Sequence, residues 1–154
     1  MLPKPIDVLP QQPPFLFLDE YLELDEKHCL GKYVFKENEW FFKGHFPGHP
    51  IVPGVILIEA MAQAGVSVGL FGLAHKENIP IEKSKERGLS VFVRIGEVNF
   101  LDMVKPAETI FVSSTLNFSR FGKFETRGEI YKLLNNEKKM VCTHKSIVGQ
   151  KIKV

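Results

Sequence analysis

The 154-residue chain is 44% hydrophobic, enough for one sizeable core, and its length leaves no room for a second independent domain, so residues 1–154 are read as one domain. A net charge of +2, with no aromatic-interleaved Lys/Arg stripe, excludes the concentrated basicity of a nucleic-acid binder. Cys29 and Cys142 stand far apart without CxxC or zinc-ligand spacing, so no disulfide framework, metal or cofactor is expected, and a reducing cytoplasm is.

The opening, MLPKPI, carries prolines where a signal peptide needs a basic start and an unbroken apolar stretch. The Pro-rich segment through Pro14 reads as an irregular arm laid over the domain. From Leu30 to Asn38, Tyr33, Val34 and Phe35 sit among Lys and Glu, the pattern of a partly exposed strand. From Val52 to Ala74 nearly every residue is apolar or small, a run far too long for a strand, and it predicts a buried helix with Pro53 in its first turn. A membrane span is the rival for such a run, but Glu59 and Gln63 would then lie in hydrocarbon and the flanks lack a basic anchor. The polar stretch Lys76 to Arg87 reads as a loop.

The remaining sixty residues alternate as strands do. Ile110, Val112, Leu116 and Phe118 share one face, the Gly-containing Arg120–Lys123 is a turn, Phe124–Leu134 a strand, Asn135–Asn136 a turn, and Lys138–Val148 a last strand. A strand, a long buried helix and an antiparallel meander predict an α+β domain, a long central helix wrapped by a curved antiparallel sheet, which is the hot-dog fold.

Where loop becomes helix the sequence runs FFKGHFPGHPIVPGVILIEAMAQAG. Pro47, Pro50 and Pro53 bias their predecessors to extended backbone and Gly44 and Gly48 permit positive φ, so His45 is expected on a stiff, non-helical turn. Glu59, Gln63 and Ser67 recur every four residues and form one polar stripe on a greasy helix. A buried carboxylate with few charged neighbours is held protonated and suits a general acid, while histidine is the side chain best placed to be a base at neutral pH. The Gly54 amide, without an acceptor at the helix start, suits a developing oxyanion. Together these groups suit proton abstraction beside a carbonyl.

Each residue also has a plainer reading: a hydrogen-bonded structural histidine, a carboxylate satisfied by a backbone or Arg partner, and Gln63 and Ser67 as packing contacts between helix and sheet. His45, His49 and Glu59 superficially resemble a metal-ligand set. Pro47 and Gly48 break the helix that an i, i+4 His pair needs, so no metal is expected.

The segment GHFP, then PGV and EAMAQ, resembles the signature of the 3-hydroxyacyl-acyl-carrier-protein dehydratases of FabZ type. Leu9–Pro10 through Pro13–Leu16 are similar to the family's N-terminal LPHRYPFL, and weaker similarity runs from Phe92 to Pro106. The resemblance implies His45 as the catalytic histidine, Glu59 as the catalytic glutamate, where the related FabA enzymes carry Asp, and Gly54 as the glycine whose amide binds the thioester carbonyl. Gln63 falls on the glutamine of EAMAQ and is taken with Gly54 as an oxyanion or substrate-binding residue. It also implies a homodimer with shared active sites, His from one subunit and Glu from the other, commonly assembled as a trimer of dimers. The acyl tail is expected in a tunnel along the helix near Phe42, Phe71 or Phe92.

Two departures bear on the partner. The family's basic His-Arg is Gln11–Gln12 here, and its KFRRPV-like segment is Asn99–Val104 without the positive charges. An acidic acyl carrier protein would then dock through other cations such as Arg94, Arg120, Lys123 or Arg127, and a specialised polyketide or aryl-polyene pathway stays open beside fatty-acid synthesis. A hot-dog thioesterase and a non-catalytic acyl-binding module are the remaining alternatives.

Overall fold

The computed structural model describes residues 1–153. In chain order the elements are α1 (Pro5–Val8), β1 (Glu20–Leu24), β2 (His28–Val34), a 3₁₀ turn (Trp40–Lys43), α2 (Gly54–Glu77), a second 3₁₀ helix (Ile81–Arg87), then β3 (Leu89–Phe100), β4 (Thr109–Arg120), β5 (Lys123–Leu134) and β6 (Glu137–Ile152). The strands form one six-stranded sheet in the order β1-β2-β4-β5-β6-β3, every pairing antiparallel, and β3 reaches its place at the edge by crossing from the end of α2. The α+β hot-dog arrangement expected from the sequence is present.

Register explains the wrap. Val112, Ile130 and Cys142 are cross-strand partners on β4, β5 and β6, all with 0% exposure, and they face the apolar side of α2. The next row along is Ser114, Gly128 and His144. Gly65 of α2 lies against this side of the sheet, where a Cβ would stand 2.8 Å from Thr126 Oγ1, so glycine lets the helix approach. Although α2 has the length and hydropathy of a membrane span, most of its apolar window is buried inside the sheet. It is a core helix.

Several boundaries differ from the sequence reading. The strand placed at Leu30–Asn38 runs from His28 to Val34, because Asp19 Oδ2 accepts from Val34 N–H at 2.8 Å and the chain then turns through Lys36–Glu39, whose carboxylate takes the Tyr33 hydroxyl at 2.6 Å. Pro53 is not in the first turn of α2 but precedes it, with extended φ −60° and ψ 138°. The helix outlasts Ala74 and stops at Asn78 in the left-handed conformation, its amide and that of Ile79 closing on His75 and Ala74 carbonyls. Of the expected loop at Lys76–Arg87, Lys76 and Glu77 belong to α2 and Ile81–Arg87 form the 3₁₀ helix, the segment's polarity reflecting exposure and not irregularity. The N-terminal arm contains α1 and inserts Val8 and Leu9, both with 0% exposure, into the core.

Both hairpin turns fall where they were expected. Phe121 and Gly122, then Asn135 and Asn136, are two-residue loops with positive φ at both positions, the geometry that matches strand twist.

Candidate active site

His45 sits on the turn between the first 3₁₀ helix and α2. Its amide donates to the Phe41 carbonyl at 3.0 Å, its own carbonyl accepts from Ile51 N–H at 3.1 Å, and Val52 N–H is fixed to the Val104 carbonyl at 2.8 Å. The ring is held as firmly as the backbone. Nδ1 lies 2.9 Å from the Ile51 carbonyl oxygen, which can only accept, so Nδ1 carries the proton and Nε2 keeps its lone pair. Phe46 stacks on the imidazole with ring centroids 4.2 Å apart, leaving a half-buried histidine with one free basic nitrogen.

Gly54 opens α2, so its N–H has no intrahelical acceptor. A Cβ here would stand 2.9 Å from the Phe100 ring, so only glycine fits without moving that aromatic. The amide is thus available at a helix N-terminus, where partial positive charge favours a developing oxyanion.

Glu59 is half-buried on the second turn of α2 and faces a cavity of about 270 Å³, walled by Ala62 and Val66 of the helix and by Phe92, Phe124 and Ile147 of the sheet. Burial raises its carboxyl above the ordinary value, against the lowering influence of hydrogen bonds from Gln63 and Gln11. Gln63 Nε2 donates to Glu59 Oε1 at 3.0 Å and to the Phe15 carbonyl at 2.9 Å, while its Oε1 accepts from Phe17 N–H at 2.8 Å. Ser67 donates to the Gln63 carbonyl at 2.8 Å and so receives the Tyr21 hydroxyl at 2.7 Å. The polar stripe therefore ties the 15–17 segment and β1 to the helix and aims one carboxyl at the cavity.

Not every expected residue arrives at that cavity. Gln63 has 0% exposure and its amide is committed to the protein, which makes it a positioning residue for Glu59 and not a substrate contact. Of the three phenylalanines, Phe92 lines the Glu59 cavity; Phe42 is packed into an aromatic cluster against Phe41 at 4.8 Å, and Phe71 is half-buried against the core outside the cavity lining. His45 and Gly54 are also absent from the walls of the cavity that holds Glu59. Gln11 was missed as a site residue: it reads in sequence as a lost basic residue, yet its side chain lines the Glu59 cavity. The cations considered for docking do not ring this cavity either. Arg94 pairs with Glu125 at 3.2 Å, Arg127 is held by Asn117, and Arg120 lies over Phe121 at a hairpin tip.

His49 is exposed on the turn, and no group of three or more His, Cys, Asp or Glu with metal-binding geometry occurs among the described residues.

A family model described as a FabA-like domain matches residues 9–142. The chain is 35% identical over 126 residues to the 3-hydroxyacyl-[acyl-carrier-protein] dehydratase FabZ of Geotalea uraniireducens, covering 80% of this chain and 81% of that protein. It is 34% identical to the enzyme of the same name from Caldanaerobacter subterraneus subsp. tengcongensis, covering 79% of each. Among solved structures, the dehydratase heterocomplex ApeI:P from Xenorhabdus doucetiae superposes with a TM-score of 0.76 over 99% of this chain and 93% of that one, at 15% identity, a likeness of fold.

Proposed function

Because the chain belongs to the FabA-like family and matches its FabZ-type 3-hydroxyacyl-[acyl-carrier-protein] dehydratases, we propose that it is a hydro-lyase converting a (3R)-3-hydroxyacyl thioester to the trans-2-enoyl thioester, in fatty-acid or related biosynthesis. The observation that carries the residue assignment is the pair of opposed environments. His45 has Nδ1 committed to a carbonyl and Nε2 free to accept, whereas Glu59 is held towards its protonated form by burial.

His45 Nε2 removes the C2 proton, and the electron pair moves towards the thioester carbonyl, whose oxygen takes the Gly54 N–H. The pair returns to form the C2–C3 double bond as the C3–O bond breaks, and Glu59 gives its proton to the departing hydroxyl, which leaves as water. Glu59 then recovers a proton and His45 loses one, with no redox partner needed.

Since the Glu59 cavity is lined without His45 or Gly54, a second protomer supplies the missing half of each site. The edge strand β3 supports this, because Leu89, Val91, Phe92, Val93, Ile95 and Phe100 are 39–52% exposed on a strand with one side unpaired. The acyl group arrives on an acyl carrier protein in the cytoplasm, and residues 1–154 act as one catalytic domain of a homodimer.

The test is a short 3-hydroxyacyl thioester followed in the ultraviolet. Enoyl product is expected from the wild type, with His45→Ala and Glu59→Gln each at least about a hundredfold slower at retained fold. Free thiol without enoyl product would instead identify a thioesterase.

A further inference from the structure

The peptide unit joining Ile51 to Val52 is engaged at both ends. Its carbonyl oxygen accepts from His45 Nδ1 at 2.9 Å, and its N–H donates to the Val104 carbonyl at 2.8 Å. The first bond sets the imidazole tautomer, so whatever fixes the second fixes the plane that orients His45. Hydrogen bonds in series also polarise one another, and the bond to Val104 makes the Ile51 oxygen a better acceptor. Val104, 1% exposed, belongs to the loop 101–108 between β3 and β4. That loop begins directly after Phe100, whose ring lies against Gly54. The histidine and the oxyanion glycine thus both lean on one loop.

One ammonium group gathers that loop. Lys132 reaches it from β5 with three N–H groups, and three acceptors face them: the Met103 carbonyl at 2.8 Å, Glu108 Oε1 at 3.1 Å and Asp102 Oδ2 at 3.0 Å. The Met103 carbonyl lies one residue before Val104 in the chain. The Lys132 side chain is only 15% exposed, so water competes little with these partners, and together they form a network instead of an isolated surface pair. Lys139, the cross-strand partner of Lys132 on β6, lies 3.1 Å from the same Asp102 oxygen. Two lysines directly opposite each other weaken a sheet. Here both converge on a carboxylate of the loop, so the loop is what they hold.

We propose that Lys132 is a positioning residue for the dehydration: it clamps the 101–108 loop so that Val104 holds the Ile51–Val52 peptide and, through it, the Nδ1-protonated form of His45. It acts through the loop and not on the substrate. The proposal rests on the dehydratase reading above, in which His45 Nε2 takes the C2 proton.

The experiment compares Lys132→Met and Lys132→Arg with the wild type, well below the melting temperature of each. Two signals are read: kcat and KM on a short 3-hydroxyacyl thioester, and the ring nitrogens of His45 by NMR of isotope-labelled histidine, assigned against His45→Ala. Lys132→Met is expected to lower kcat by about tenfold or more with KM little changed, the scale on which misalignment caused far from the chemistry acts. Its His45 ring nitrogens are expected to move from the single Nδ1-protonated form towards a mixture of tautomers. Lys132→Arg, which keeps a cation for both carboxylates, is expected to recover most of the lost rate and the wild-type ring signals. Either signal unchanged in Lys132→Met overturns the proposal, and a lower melting temperature alone then marks Lys132 as a structural ion-pair partner. Where Lys132→Met does not fold, Asp102→Asn is read instead, because it removes two ion pairs from the loop with almost no change of shape. The same two signals are expected to move the same way by a smaller factor, and either one unchanged there overturns the clamp. The dehydratase reading fails separately. Absence of enoyl product from the wild type removes that reading, while a tautomer shift on loss of Lys132 still supports the clamp and its absence overturns it.

Discussion

Gln63 holds three groups at once, the Phe15 carbonyl, the Phe17 amide and the Glu59 carboxyl, and it does so with 0% exposure. Replacing it with Leu leaves the Phe17 N–H and Phe15 C=O without their partner, so a loss of about 2–4 kcal/mol in urea unfolding is expected. It also removes a donor that stabilises the Glu59 carboxylate. The acid must be protonated to act, so activity falls as pH rises through its pKa; loss of the donor raises that pKa further, and the alkaline limb of kcat/KM moves to higher pH. Gln11→Leu is expected to move the limb the same way with little change in stability, because the neighbouring Gln12 makes the arm's own bonds to Ile6 and Leu9. A limb fixed in both variants would refute the positioning role. At this scale the non-helical turn under His45, the open helix start at Gly54 and the partly buried setting of Glu59 were legible because prolines, glycines and a lone carboxylate on an apolar helix constrain local backbone and solvation. Gln11 was not, and Phe42 was misplaced, because periodicity tells which face a side chain occupies and not which distant segment meets it.

The same limit appears along α2. Its existence followed from composition, but the glycines divide into two kinds that no pattern distinguishes. Gly65→Ala would place a Cβ 2.8 Å from Thr126 Oγ1 and 3.2 Å from Ser114 Oγ, and a destabilisation of about 1–3 kcal/mol is expected from the displaced sheet. Gly72→Ala meets nothing and should stabilise by about 0.5–1 kcal/mol through helix propensity. Thermal melts of the two variants moving in the same direction would contradict this division. Across the sheet, His144 of β6 is 3% exposed, and burial pulls its pKa from 6.5 to about 4. The unfolded chain takes up this proton near pH 6.5 and the folded chain only near 4, so the neutral ring's contribution is complete above 6.5 and is lost as pH falls towards 4. The loss amounts to about 3 kcal/mol at most. His144→Leu is expected to flatten the stability profile across that window, and an unchanged slope there would exclude His144 as its source. Strands β4 to β6 were legible because alternation and paired turn residues set their register; β1 was missed because EYLEL carries too few buried positions to stand out.

For the whole molecule, the decisive feature is that α2 presents Glu59 to a cavity that His45 does not line, while β3 leaves an apolar edge unpaired. A self-complementary dimer covers such an edge and, by its symmetry, makes two equivalent sites. If each site takes His45 from one protomer and Glu59 from the other, the variants His45→Ala and Glu59→Gln must complement. In a mixed dimer, one site combines both substitutions and the other has neither. Random reassortment of equal amounts gives half mixed dimers, each with one intact site, so activity should recover to about a quarter of wild type. Were each site built within one chain, every site in the mixture would carry a substitution and recovery would be nil. Adding Val93→Lys to both chains, a charge on the unpaired edge at a residue 52% exposed, should block recovery by opposing assembly, and a shift to monomer in sedimentation would accompany it. Nil recovery in a mixture that sediments as reassorted dimers would place the pair within one protomer and remove the subunit-sharing reading altogether.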